Sequence, residues 1–473
     1  MLLLTGLFLF FVAAAAFTEL YFLATIPFVI LLFVAGWQNK EIVFFLLLFS
    51  LPFSFEFHFS ESLGTDIPDE LLMLLVSVIF FANLLYSPRI ISKQIWQHPL
   101  LLLLGILLSW TLVTVIFSTD RLLSVKFLLA KSWYTGAFVL APLIVFKQKR
   151  SIPIAAGTLA VSMFAVVLIA LFRHEQNGFR FAKVNDAVSP FFRNHVNYSA
   201  MLVCMIPLLF AFLQFAKGKL VKGLIGFAII ITLGALFFSY ARGAWLALLA
   251  GAVALWTIKK RLMFYVYLLA IVVMIGSVFW LKANDRYLQY APDYKTTIFH
   301  KDFREHFIAT YQLKDVSTEE RFYRWIAGVR MIKDNWLTGY GPNTFYDNYK
   351  PYAIPAYKTW VSGNPEHSTA HNYFLLTTIE QGIPGFIFLL LLLGTMIWYS
   401  QRLYHRVKDP FYKTVAMVTG VIITMVIVLN FLSDLVETDK IGSLFFLCLS
   451  VLIVTDTNTR KSSDLSPDIQ GIS

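Results

Sequence analysis

The sequence predicts an all-α, polytopic integral membrane protein of about 12–14 transmembrane helices, and three observations carry that prediction. Of its 473 residues, 58% are hydrophobic and only 14% charged, well below the charge content of soluble chains. Apolar runs of about 17–22 residues recur from end to end, the length that crosses ~30 Å of hydrocarbon. The runs are continuous rather than alternating, which selects helices over a closed barrel.

In order, the candidate spans are 2–17, 20–37, 41–55, 69–86, 98–117, 132–146, 151–172, 196–216, 222–240, 243–258, 262–281, 372–400, 413–431 and 441–455. The first run, "MLLLTGLFLFFVAAAAF", has no basic leader and is followed by many more spans, so it reads as a retained helix rather than a signal peptide. The three short early runs and 132–146 leave the count between 12 and 14. The chain thus divides into N-terminal helices (1–281), a large loop (282–371), C-terminal helices (372–456) and a polar tail (457–473) expected to be disordered. Cys204 and Cys448 both lie inside apolar runs and read as small core residues, not as a disulfide framework or zinc site.

Charge sets the topology. "SPRIISK", "KQKR", "KGKLVKG", "KKR" and "SQRLYHRVK" fall in alternate connections, which the positive-inside rule makes cytoplasmic, together with both termini. The intervening "FEFHFSESLGTDIPDE" carries five acids and no Lys or Arg. The formal charge of +11 is therefore mostly spread between helices as topology requires, and nucleic acid is not an expected partner. Two outward connections differ. Arg173–His195 is short yet carries four Lys/Arg against two acids, which either marks an anion-binding loop or is simply tolerated. The large loop contains "STEERFYRWIAGVRMIKDNW", where Ser317 and Glu320 have capping-box spacing and Phe322, Trp325, Ile326, Val329 and Ile332 form a helical stripe. Arg321 and Arg324 in its first turns oppose the helix dipole unless an anion or carboxylate sits nearby. A Gly/Pro turn, "GYGPNTF", follows.

The sequence has no Walker loop, HExxH, GxSxG or Asp-x-Asp pair, which disfavours ATP-driven transport and metal-dependent nucleotide-sugar chemistry. What remains is a set of Arg and His at the outer face. Arg242 separates two apolar runs with almost no loop, and it reads either as a snorkelling arginine or as a bidentate phosphate ligand. His371 stands where the large loop enters the membrane, as a structural histidine or as a base whose neutral form nearby arginines favour. Glu380 is a carboxylate in an apolar run and needs a partner, and Gly382, Pro384 and Gly385 mark a kink that local repacking must stabilise.

Four ordered segments between Phe191 and Gly385 carry a resemblance: "FFRNHVNYSAMLVCMIPLL", "FFSYARGAWLALLAG", "ERFYRWIAGVRMIKDNWLTGYGPNTF" and "HNYFLLTTIEQGIPG". The last has His-Asn, nine residues, then Gly-x-x-Gly. Together they resemble the O-antigen ligase and polymerase family of bacterial envelope glycosyltransferases, most closely the ligases. "SYAR" departs from that family's commoner Ser-Arg pair and leaves the role of Ser239 open.

The resemblance implies a GT-C-like helical fold in the bacterial inner membrane, with its site at the periplasmic surface and one large periplasmic loop containing helices. It implies glycan transfer from an undecaprenyl-diphosphate carrier to a hydroxyl of the lipid A–core oligosaccharide, with inversion and without metal, nucleotide or other cofactor. The family's functional residues map to Arg242, Arg321 and His371. On that reading the two arginines bind diphosphate and His371 accepts or orients the acceptor proton. Arg193, Arg180, His195, Asn197, Arg324, Tyr340 and Asn372 are the further candidates for diphosphate or acceptor binding. A polymerase, or a protein O-oligosaccharyltransferase using the same donor, shares these residues. A lipid-linked oligosaccharide flippase is the non-enzymatic alternative, but the sequence shows no paired halves and its basic residues cluster at one face.

Overall fold

The structure is a computed structural model and describes residues 6, 10–11, 13–14, 17–18, 26–60, 63–284, 286, 316–358, 362–364 and 367–464. It is an all-α polytopic membrane protein with one small hairpin. The expected span 2–17 lies mostly outside the described residues; of 20–37, residues 26–37 are described, in α1 (Ile26–Gln38), which α2 (Lys40–Ser50) follows. Ten described helices are long and apolar enough to cross a membrane. They are α3 (Asp69–Tyr86), α4 (Pro99–Ile116), α5 (Arg121–Val145), α6 (Ser151–Gln176), α7 (His195–Phe215), α8 (Lys219–Phe238), α10 (Met263–Lys282), α12 (Tyr373–Arg406), α13 (Pro410–Phe431) and the membrane part of α14 (Asp439–Asp464). Between α8 and α10 lies α9 (Arg242–Lys259), eighteen residues with a cation at each end.

Three elements differ from expectation. The span expected at 132–146 begins at Arg121, because Lys131, which interrupts the apolar run, is satisfied inside the bundle. Its Nζ lies 2.8 Å from Glu437 Oε2 and 5.0 Å from the centroid of the Phe127 ring. The acidic connection after α2 forms an antiparallel hairpin, β1 (Phe55–Ser60) with β2 (Leu63–Ile67). Its Phe-Glu-Phe-His-Phe alternation has the period of two that strands require. Finally, α14 runs to Asp464, past the boundary expected at 456, while residues 465–473 lie outside the described residues. Buried Asp456 anchors this extension, lying 2.6 Å from Arg406 and 2.8 Å from Arg460.

The centre of the bundle is α13, with α9, α12, α7 and α14 packed around it. Small residues permit the approach: a Cβ on Gly251 would lie 2.1 Å from Met425 Cε, and one on Gly420 would lie 1.9 Å from Ser400 Oγ. This is the close backbone packing by which membrane helices associate. The connections gather at two ends. One joins Lys149 to Asp409 at 2.5 Å and His405 Nε2 to Ile258 O at 2.8 Å, and it holds the Lys- and Arg-rich segments. The other, the loop end, carries the hairpin, residues 177–194, the start of α9, the segment from α11 (Val316–Asp334) to α12, and the α13–α14 turn.

The segment after α11 docks on α12 where that helix breaks. Gly382 has φ 70°, and a Cβ there would lie 2.0 Å from Leu337 O, so only glycine fits. The groups freed by the break all find partners. Tyr340 N donates to Ile379 O at 3.0 Å, Gly341 N to Glu380 O at 2.9 Å, and Trp110 Nε1 to Gln381 O at 2.8 Å. Ile383 N donates to Trp336 O at 2.8 Å, and the carboxylate of Glu380 accepts from Phe345 N at 3.2 Å. The "GYGP" turn and the Gly-Ile-Pro-Gly break are thus two halves of one joint, which fixes the loop segment against the membrane helices.

Candidate functional site

The site gathers around the turn that links α13 to α14, residues 431–434. Three elements meet there. Helix α9 brings Arg242 as its first residue, and a Cβ on the adjacent Gly243 would lie 3.5 Å from Leu432 Cδ1. Helix α11 brings Trp325, whose ring meets that of Phe431 edge to face at 6.1 Å. Arg321, one turn before Trp325, shares its helix face. The start of α12 is pinned by Tyr373 N, which donates to Ser433 O at 3.0 Å. Arg242, Arg321 and His371, separated in sequence by 79 and 50 residues, therefore flank one short turn.

His371 is held in an uncommon backbone conformation, φ 50°, by contacts on both sides. Before it, Arg324 Nη1 donates to Thr369 O at 3.1 Å and Trp325 Nε1 donates to Ala370 O at 2.8 Å. After it, the side chain of Asn372 accepts from Leu375 N at 3.0 Å and caps α12. The imidazole is 36% exposed, and its Nδ1 stands 3.8 Å from Asp434 Oδ1, a distance for charge attraction rather than a hydrogen bond. The other oxygen of Asp434 accepts from Thr369 Oγ1 at 2.6 Å. Burial alone would raise the carboxyl of Asp434, but His371 beside it and the Thr369 hydroxyl outweigh burial and hold it below the usual carboxylate range. The site therefore places a fixed anion behind an accessible imidazole, with two half-buried guanidinium side chains on neighbouring elements.

Asp434 is the residue that sequence reasoning missed. It stands in an acid-rich connection, "SDLVETDK", with no motif to single it out.

The other sequence-predicted residues fall elsewhere or already have protein partners. Arg324 is buried, with Nη2 3.3 Å from Glu320 Oε2, and Glu320 also accepts from Ser362 Oγ at 2.6 Å. Glu320 is thus a strut for the loop segment, while the side chain of Ser317, its expected capping-box partner, lies outside the described residues. Asn372 is the α12 cap just described. Tyr340 sits in the docked turn, its hydroxyl 2.8 Å from that of Tyr352. Ser239 donates to Leu236 O at 2.7 Å and accepts from Ala241 N at 3.4 Å, closing the turn before Arg242. In that turn Tyr240, at φ 56°, donates its hydroxyl to Phe179 O, so residues 177–194 pack beside the Arg242 corner. Arg180 is exposed on that segment, while His195 opens α7 with its N and Nδ1 each 2.9 Å from Asn185 Oδ1. Arg193 and Asn197 line a separate cavity, where Arg193 Nε lies 2.9 Å from Glu56 Oε2.

Residues 227–390 match the model of a family described as O-antigen ligase. The match spans about a third of the chain and supports its kinship with the O-antigen ligase family. The family is of glycosyltransferase type, and its membrane enzymes act on lipid-linked glycans. The matched segment contains Arg242, Arg321 and His371, while Asp434 lies 44 residues beyond its end. A search of curated proteins finds no match. The matched segment thus supplies three of the four side chains at the α13–α14 turn, and the turn itself supplies the fourth.

Proposed function

We propose that the protein is an O-antigen ligase that transfers glycan from undecaprenyl diphosphate to a hydroxyl of the lipid A–core oligosaccharide. The observation that carries this reading is the convergence of Arg242, Arg321 and His371 on one turn, with Asp434 behind the histidine. In the proposed reaction the acceptor oxygen attacks the anomeric carbon from the face opposite the diphosphate. The carbon–oxygen bond to the carrier diphosphate breaks, and the configuration inverts.

His371 takes the proton of the attacking hydroxyl. With Nδ1 turned toward Asp434, Nε2 is the nitrogen left for substrate, and the Asp434 carboxylate stabilises the imidazolium that forms. Arg242 and Arg321 hold the leaving diphosphate, whose charge grows as the bond breaks. Guanidinium suits this role because it stays charged and grips paired oxygens. The rigid joint at Gly382 keeps α11 and the start of α12 in register, so the two arginines and the histidine hold their spacing. The Lys- and Arg-rich connections at the other end of the bundle support, by the positive-inside rule, a reading in which the loop end and this site face the periplasm of a bacterial inner membrane.

The test is direct. Purified protein in detergent is incubated with undecaprenyl-diphosphate-linked glycan and rough lipopolysaccharide, and product is followed on a gel. Ligated lipopolysaccharide is the expected result. Lengthened carrier-linked glycan without ligation would replace the ligase reading by a polymerase, and neither product from folded protein would overturn both.

A further inference from the structure

At the loop end a second constellation stands apart from the residues just used. A cavity of about 240 Å³ opens between the hairpin, the segment entering α7 and the start of α14. Glu56 and Asp66 are direct cross-strand partners, so both carboxylates leave the hairpin on one face. Burial first, then the neighbouring Asp439, pushes the Asp66 carboxyl up to about 6. The floor is formed by Asp439 and Lys440, 2.7 Å apart, with Lys440 Nζ donating to Ser54 Oγ at 2.9 Å and lying 5.1 Å from the centroid of the Phe192 ring. Arg193 closes one side through its 2.9 Å contact with Glu56, and Asn197, Phe55 and Phe191 complete the lining.

Three carboxylates face two cations here, so the cavity does not favour a diphosphate. Among the described residues no group of His, Cys, Asp or Glu is placed to hold a metal ion. What the lining does suit is a ligand rich in hydroxyl donors with an apolar face. Carboxylates are pure acceptors and take paired hydroxyls, Arg193, Lys440 and Asn197 donate, and the phenylalanines offer ring surface to C–H groups. The volume lies below the ~300–1,000 Å³ of sites for larger ligands, which fits one ring and not a chain. The cavity is also close to the reaction centre: Asp439 follows Asp434 by five residues, which span at most about 18 Å.

We propose that this cavity is a subsite for one pyranose ring of a glycan engaged at the α13–α14 turn. The inference rests on the transferase reading and adds where the sugar, rather than the phosphate, is recognised. The ring belongs either to the donor glycan or to the acceptor oligosaccharide, and the hydroxyl chemistry is the same for both.

Saturation-transfer NMR on the purified full-length protein in detergent tests it, without requiring turnover. The probes are delipidated lipid A–core oligosaccharide and the glycan released from its carrier by mild acid, in separate samples, with inorganic pyrophosphate as competitor. One oligosaccharide should show ring-proton saturation in the wild type and equally in His371→Ala, and pyrophosphate should not displace it. Which one responds assigns the source. The signal should fall at least tenfold in a Glu56→Gln/Asp66→Asn double variant and at least threefold in Asn197→Ala, which leaves the ion pairs intact. Signals unchanged in both variants, no saturation of either probe, or displacement by pyrophosphate would overturn the subsite. Ring binding through the cavity in a protein that transfers nothing would keep the subsite and remove the ligase reading. Transfer with unaltered KM for both substrates in every cavity variant would remove the subsite alone.

Discussion

Two positions of positive φ, one inside helix α12 and one just before its cap, are built in opposite ways. At Gly382 the backbone turns through φ 70°, and the groups freed around it are met by protein: Tyr340, Gly341, Trp110 and Trp336. At His371, eleven residues earlier, the backbone is again left-handed, but the side chain stays partly exposed, with a carboxylate 3.8 Å from its Nδ1. A joint in lipid must satisfy its own backbone, because no water can do so. A site must instead leave groups for a substrate while its surroundings hold them still. The first position therefore gives rigidity, and the second uses it.

Substitutions should separate the two. The largest effect is expected from Arg242→Ala or Arg321→Ala. Loss of one charge-stabilising donor costs about 10²–10³-fold in turnover, about 2.7–4 kcal/mol, with thermal unfolding in detergent little changed. Unaltered donor affinity and turnover in both would remove them from the site. Gly382→Ala should do the reverse, lowering the unfolding temperature through a strained backbone, about 1–3 kcal/mol, and a Cβ forced against Leu337 O. A stable Gly382→Ala protein would show that the joint is not tight.

Asp434→Asn should slow transfer, because the imidazolium that forms loses its facing carboxylate, and donor affinity should be kept, as read from single-turnover rates and donor titration. The same substitution has a stability signature. Because folding lowers the Asp434 carboxyl, its contribution is present above the unfolded value near ~3.9 and is lost as pH falls through the folded value. The wild type should therefore lose stability below about pH 4 more steeply than the Asp434→Asn variant, as measured by melting across pH. The smallest effect is expected from Trp110→Phe, which leaves Gln381 O without its 2.8 Å donor at a cost of about 1 kcal/mol and should move melting but not the pH profile.

The same contrast explains what could be read from the chain. Apolar runs give most of the helices because each carries its own signal. The exceptions are those whose polar residues are paid for at long range. Lys131 hides the first half of α5 until Glu437 is seen beside it, and the polar end of α14 looks unfit for a helix until Arg406 reaches Asp456. The hairpin's Phe-Glu-Phe-His-Phe alternation is legible as a strand pattern, but it is too short to stand out beside the acidic charge of the same connection. At the site, Arg242, Arg321 and His371 stand in local motifs with helix-start or turn residues around them. Asp434 stands in none, since its partner lies 63 residues away and only the packing of α12 on α13 brings them together.

The most direct test of the central claim is the single-turnover rate of glycan transfer by His371→Ala protein, with donor bound and folding verified by melting. A loss of about 10²–10⁴-fold, the range for a positioned proton acceptor, with donor affinity retained, is the expected result. Transfer at the wild-type rate would contradict the assignment of His371 as the base and with it the reading of the α13–α14 turn as the reaction centre.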